Sequence, residues 1–262
     1  MKTKLWAIVA LCISMLIASN TAWAQAIVFG LDSKYQSDYV TPNGVSYGDD
    51  IYRFDLTATF YGFKAGVTKI GSFGDGASPY SEEWQAFIEK KWEWCSSIYL
   101  IAGYRQEWLD GPWDLSIPYV EVGKTWNTGQ SQDLTAYVRG EYWHNIQKTT
   151  TDNGLIATIG LRYLNNLSDK FSLRLGTSFV HDDGLQGGGA GFIWVGEGYI
   201  DYALTHETTL YTGGKYYAPM GIDNPVDVRE NRKVFEVGVK VNDFPKQLGK
   251  AWGRITGEVT QY

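Results

Sequence analysis

The residues with the most obvious chemical use in this 262-residue chain are opposite charges set two apart: Arg53 and Asp55, Glu89 and Lys91, Arg105 and Glu107, Arg139 and Glu141. Side chains two apart share a face of an extended segment, so each pair puts a cation and an anion on the same side. A guanidinium fork can hold a carboxylate at two points. Arg139, Arg162 and Arg174, on three successive extended segments, could therefore form a basic strip that guides an acidic sugar or another organic anion, and Arg53, Arg105 and Lys215 are further candidates to line the same space. Tyr137, Tyr199, Tyr211 and Tyr217 fall in the same phase and offer flat surfaces to sugar rings. The same cations could instead be held by acids such as Glu141 in salt bridges, which is a structural use of the same residues.

Catalytic chemistry has less to draw on. The imidazoles are His144, His181 and His206, and only His181-Asp182-Asp183 sets one beside acids. A catalytic base needs a partner within hydrogen-bond reach, and no lipase, deacylase or protease signature accompanies the trio. Gly187-Gly188-Gly189 and Gly74-Asp75-Gly76 lack the strand-to-helix setting of a phosphate cradle and read as turns. The expectation is no catalytic residue, no metal and no cofactor.

The elements that must position these side chains alternate with a period of two. Tyr52, Phe54, Leu56, Ala58 and Phe60 form an apolar face against Arg53, Asp55, Thr57 and Thr59. Leu134, Ala136, Val138, Gly140 and Tyr142 do so against Thr135, Tyr137, Arg139 and Glu141. Strict alternation marks strands between two different surroundings. Twelve such segments are predicted, near 26–37, 50–60, 63–71, 83–92, 98–108, 117–126, 133–144, 154–164, 170–181, 191–203, 208–217 and 232–242. Long connections follow the odd segments, beginning with Asp38–Asp49, and short ones such as Tyr61-Gly62 follow the even ones. A soluble sandwich has no reason to gather its long loops at one end, whereas a transmembrane barrel has. The fold class expected is all-β, an antiparallel up-and-down barrel of about twelve strands. Asp32, Lys34, Lys64, Glu121, Glu197, Asp201, Glu236 and Lys240 join the candidates above on the inward face, where charge avoids hydrocarbon.

Residues 1–24 read as a cleaved signal peptide: Lys2 and Lys4, an apolar stretch from Leu5 to Ala18, then Ala22-Trp23-Ala24. The stretch is shorter than the ~20 residues of a spanning helix. Loss of the leader takes the net charge from -6 to -8 by removing two lysines, which gives nucleic acid no basic stripe to bind. It also removes Cys12 and leaves Cys95 without an internal disulfide partner. The 11 Trp, 18 Tyr and 30 Gly suit a barrel, which needs aromatic girdles outside and small residues within.

In length, topology and lumen character the chain resembles the small outer-membrane porins. Its layout is most similar to the monomeric twelve-strand channels for acidic oligosaccharides, the oligogalacturonate and sialic-acid porin family, with no specific shared motif. The resemblance implies a monomer in a Gram-negative outer membrane, a passive channel for small hydrophilic solutes, anionic sugars among them. Outer-membrane lipid, lipopolysaccharide and the barrel-assembly machinery are its implied partners. The alternative is a narrow, non-conducting barrel with a structural or surface-binding role. Residues 25–244 would form the barrel, and 245–262 a periplasmic tail or an additional strand ending on Tyr262. Acids near the mouth, including Asp49, Asp50, Asp75, Glu83, Asp110, Asp114, Asp182 and Asp183, would repel an entering anion.

Overall fold

The computed structural model describes residues 27–42, 44–73, 82–95, 97–109, 114–129, 131–146, 153–185, 189–221 and 229–242. The leader and the segment 245–262 lie outside the described residues. Twelve strands run in order: β1 (Val28–Val40), β2 (Ser46–Phe60), β3 (Phe63–Ser72), β4 (Glu82–Trp94), β5 (Ile98–Leu109) and β6 (Asp114–Gly129), then β7 (Gln132–Asn145), β8 (Gly154–Asn166), β9 (Phe171–Asp182), β10 (Gly191–Ala203), β11 (Thr208–Met220) and β12 (Arg232–Asn242). Each pairs antiparallel with its sequence neighbours, and β12 returns to β1 to close the barrel. Closure leaves no open sheet edge, the condition a sheet must meet in lipid. The seam runs from Gly30↔Asn242 to Gln36↔Glu236, after which β1 bulges between Asp38 and Val40.

The phase read from the sequence holds in the structure. Val138, Ile159, Ile200 and Phe235 are more than half exposed on the outer wall, while Arg139, Glu141 and Tyr199 turn inward. Tyr61, Trp92, Trp94, Trp126 and Phe171 are exposed near the short turns, and Phe73, Tyr142 and Phe192 near the long loops. Lys90, on that outer wall, rests over Phe63 at 4.2 Å and donates to the Tyr61 carbonyl, as lysines do at an interface. The turn at Tyr61-Gly62 has positive φ at both residues, 48° and 75°, which is the hairpin geometry that matches strand twist.

Two departures from the predicted strands have physical reasons. The connection expected at Asp38–Asp49 is mostly strand: β1 continues to Val40, β2 begins at Ser46, and Asp38 pairs with Asp49. Above the apolar band both faces are polar, so alternation fades although the ladder continues. In β6, Pro118 has no N–H to give, and the pairing with β7 skips from Ser116↔His144 to Tyr119↔Glu141.

Candidate functional site

Glycines on the inner wall let tyrosines lie flat across it. A Cβ at Gly103, Gly123, Gly160 or Gly238 would come within 2.4–2.7 Å of the ring of Tyr119, Tyr99, Tyr137 or Tyr211 respectively. Each ring reaches across to the glycine directly opposite it in the ladder. Cations then settle on the exposed ring faces: Arg139 at 4.2 Å over Tyr119, Arg162 at 3.8 Å over Tyr137 and Lys240 at 4.6 Å over Tyr211. The tyrosine hydroxyls complete the unit by donating to acids, Tyr99 to Glu121 at 2.8 Å, Tyr119 to Glu89 at 2.7 Å and Tyr211 to Asp32 at 2.7 Å.

The arginines are linked by carboxylates. Glu121 faces Arg139 across the β6–β7 ladder at 3.5 Å and accepts from Arg162 at 3.0 and 3.3 Å. Arg162 reaches it from two strands away by lying over Tyr137, which Gly160 allows to lie flat. Arg139 donates to Glu141 at 2.6 Å, and Arg105 lies 3.6 Å from Glu141 and 2.6 Å from Glu107. The result is one alternating chain across four strands, Glu107–Arg105–Glu141–Arg139–Glu121–Arg162. On the opposite wall Arg53 pairs with Asp55 at 2.9 Å, Lys34 with Glu236 at 3.2 Å and Lys215 with Glu197 at 3.7 Å.

The predicted strip of three arginines is thus partly joined. Arg139 and Arg162 share Glu121, whereas Arg174 forms a separate fork with Asp201 at 2.6 and 2.7 Å, over the rings of Tyr199 and Tyr211. Arg53, Arg105, Arg139, Arg162, Lys215, Glu141 and Tyr137 line one central cavity of about 410 Å³. Arg174, Tyr199 and Tyr211 lie outside that cavity's lining.

Toward the long loops the lumen changes character. Val40, Leu115, Ile117, Trp143, Ile156, Val180, Leu185, Ile193, Tyr217 and Val234 form a buried apolar cluster inside the ring, with Ile117, Ile156 and Ile193 completely covered. Just beyond it Asp182 and Arg229 form an ion pair at 2.8 Å, 0% and 2% exposed. Exposure of the arginines rises in the other direction, 18% at Arg105, 22% at Arg139 and 47% at Arg162. The charged part of the lumen is thus better exposed toward the short turns than beneath the long loops.

Two acids counted at the mouth are buried as well as internally paired. Asp182 is one, and Glu83 is the other: it is buried and accepts from the Tyr39 hydroxyl at 2.9 Å and from Gln85. Asp75 and Asp110 lie outside the described residues. Sequence reasoning also missed Tyr39 and Gln36 as cavity-lining groups and Arg229 as the partner of Asp182. The first two belong to a strand whose alternation fades, and the third to a connection with no periodicity at all. The trio His181-Asp182-Asp183 does not converge: His181 lies edge-on against Phe192 at 4.8 Å on the outer face, Asp182 points inward, and Asp183 accepts from the Leu155 amide at 2.8 Å. Among the described residues no group of three His, Cys, Asp or Glu side chains is placed to hold a metal ion.

No protein-family model and no curated protein matches the chain in sequence. Solved structures match it in shape. A KdgM porin in complex with disordered oligogalacturonate is 10% identical, with a TM-score of 0.55 over 81% of this chain and 98% of that one. A NanC porin is 11% identical, with a TM-score of 0.53 over the same shares. A bacterial polysaccharide outer membrane secretin is 5% identical, with a TM-score of 0.56 over 83% and 97%. The likeness is one of fold. The porin layout read from the sequence holds in three dimensions.

Proposed function

We propose that this chain is an outer-membrane channel, admitting small hydrophilic solutes by passive diffusion. The observation that carries the reading is the central cavity: a polar, charge-lined space inside a closed barrel whose outer wall is apolar. A twelve-strand ring is wider than wall side chains alone fill, and the ions in this one grow more exposed toward one end. The short turns then face the periplasm and the long loops the cell exterior. A signal peptide over residues 1–24 and assembly into an envelope containing lipopolysaccharide belong to the same reading.

Acidic sugars are the finer solute class that the arginine forks and tyrosine faces suit, and one of the porins of like fold was solved with an oligogalacturonate. Each candidate cation already has a carboxylate within 3.7 Å. An acidic solute would have to exchange with Glu121, Glu141 or Asp201, so the anion preference expected is weak. The second reading, a narrow non-conducting barrel, is favoured by the apolar cluster at the long-loop end.

Planar-bilayer recording of the purified protein decides between them. A channel gives discrete conductance steps on insertion. Long records without steps, from protein independently shown to be folded and inserted, would establish the non-conducting barrel.

A further inference from the structure

The outer wall carries a cleft of its own. Across the β10–β11 ladder Gly198 lies directly opposite Gly214, and Gly196 lies opposite Tyr216. These glycines are in phase with the exposed Ile200 on β10 and Leu210 on β11, so the wall is bare backbone where its neighbours carry large apolar groups. The result is a cleft of about 520 Å³, bordered by Trp194, Tyr216, Phe235 and Lys233. Glycine inside a strand often marks a place where another group comes close. At Gly196 that group is the Trp194 ring, 3.2 Å from where a Cβ would stand, whereas a Cβ at Gly198 would meet only Leu175, at 3.4 Å. Gly198 has room for a side chain, and packing within the barrel does not account for its absence.

Polar groups at the border of the cleft are satisfied within the wall. Trp194 Nε1 donates to Thr177 Oγ1 at 2.8 Å, and Ser37 Oγ accepts from the Phe235 amide at 2.9 Å. Trp194 and Tyr216 meet edge to face with ring centroids 5.8 Å apart. What the cleft offers an occupant is therefore mainly hydrocarbon contact.

Lys233 is the exception. It is the second residue of β12, beside a long connection, and it faces outward across the ladder from Tyr216. Three other outward lysines, Lys69, Lys90 and Lys124, lie over aromatic rings at 4.2–5.2 Å. Lys233 is exposed and has neither a ring nor an acid against it among the described residues. A cation held at the lipid surface attracts an anionic headgroup.

We propose that the cleft holds one acyl chain of a phosphorylated glycolipid of the outer leaflet, with Lys233 against its phosphate. The proposal rests on the outer-membrane reading above, which places the long-loop end in the leaflet that lipopolysaccharide occupies.

Native mass spectrometry of the protein folded in detergent micelles tests it, with lipid A and phosphatidylglycerol added separately. Wild type should retain one lipid A molecule. Lys233→Gln should weaken retention about fivefold, the loss of one lysine contact to an anionic lipid, while Lys233→Arg should keep it. Gly198→Val fills the cleft and should weaken retention at least as much, and Lys233→Gln carries the test if that variant fails to fold. Equal retention of lipid A by wild type, Lys233→Gln and Gly198→Val would overturn the site. Retention of phosphatidylglycerol as firmly as lipid A, or a pair of chains that Gly198→Val separates, would give the cleft to another occupant and overturn it too. A wild type that inserts into vesicles yet retains no lipid A overturns the cleft alone, whereas one that does not insert overturns the outer-membrane reading.

Discussion

Glu121 lies between two arginines, and the register explains why. It faces Arg139 directly, while a tyrosine seated on a glycine provides the surface over which Arg162 crosses to it. Inward charges were legible in the sequence because alternation assigns faces. Their pairing was not, because the link from Glu121 to Arg162 depends on how three strands align. The pairing makes the lumen's charge balance fragile. Replacing Arg139, Arg162 and Arg174 together with Gln leaves Glu141 with only Arg105 of its two arginines, at 3.6 Å, and strips Glu121 and Asp201 of their arginines. Breaking a buried pair costs roughly 3–5 kcal/mol, and exposure discounts the share of Arg162, so the triple variant should lose about 2–5 kcal/mol of stability. Urea unfolding from lipid vesicles measures this. The surviving channels should turn toward cations, and an unchanged selectivity would mean that the three arginines do not face the conducting path.

Each strand presents two solvents with two faces, and this can be tested with one substitution made twice. Val138, 55% exposed on the outer wall of β7, should tolerate Arg poorly, by ~2–4 kcal/mol at the bilayer midplane. Thr135, whose hydroxyl lies 2.9 Å from that of Thr125 inside, should tolerate the same change with a milder loss. Folding into vesicles of both variants compares the two, and equal losses would deny that the faces meet different surroundings. Strand cores were readable wherever lipid imposed alternation. Their ends were not: β6 reaches from Asp114 to Gly129 and β1 to Val40, beyond the band where hydrocarbon selects for apolar side chains. The apolar cluster escaped notice for a related reason. Ile117, Ile156 and Ile193 are inward-facing residues of the type expected on the lipid side, and their burial among side chains of seven other strands and Leu185 is a tertiary feature that alternation does not report.

At the scale of the molecule, the barrel is polarised along its axis, with a buried apolar cluster beneath the long loops and charged, more exposed side chains toward the short turns. Orientation follows. In a Cys95→Ser background, Ile146→Cys beyond β7 should react with an impermeant thiol reagent on intact cells, and Ser131→Cys in a short turn only after the envelope is opened. The reverse pattern would invert the barrel. The charge-balanced lumen is tested most directly by the reversal potential of the wild-type channel in a tenfold KCl gradient. An ideally selective pore for a monovalent ion reads about 59 mV. Paired charges predict discrete conductance steps with a reversal potential less than half that size, moving toward cation preference when Arg139, Arg162 and Arg174 become Gln. A potential near the ideal value before any arginine is replaced would contradict the paired lumen.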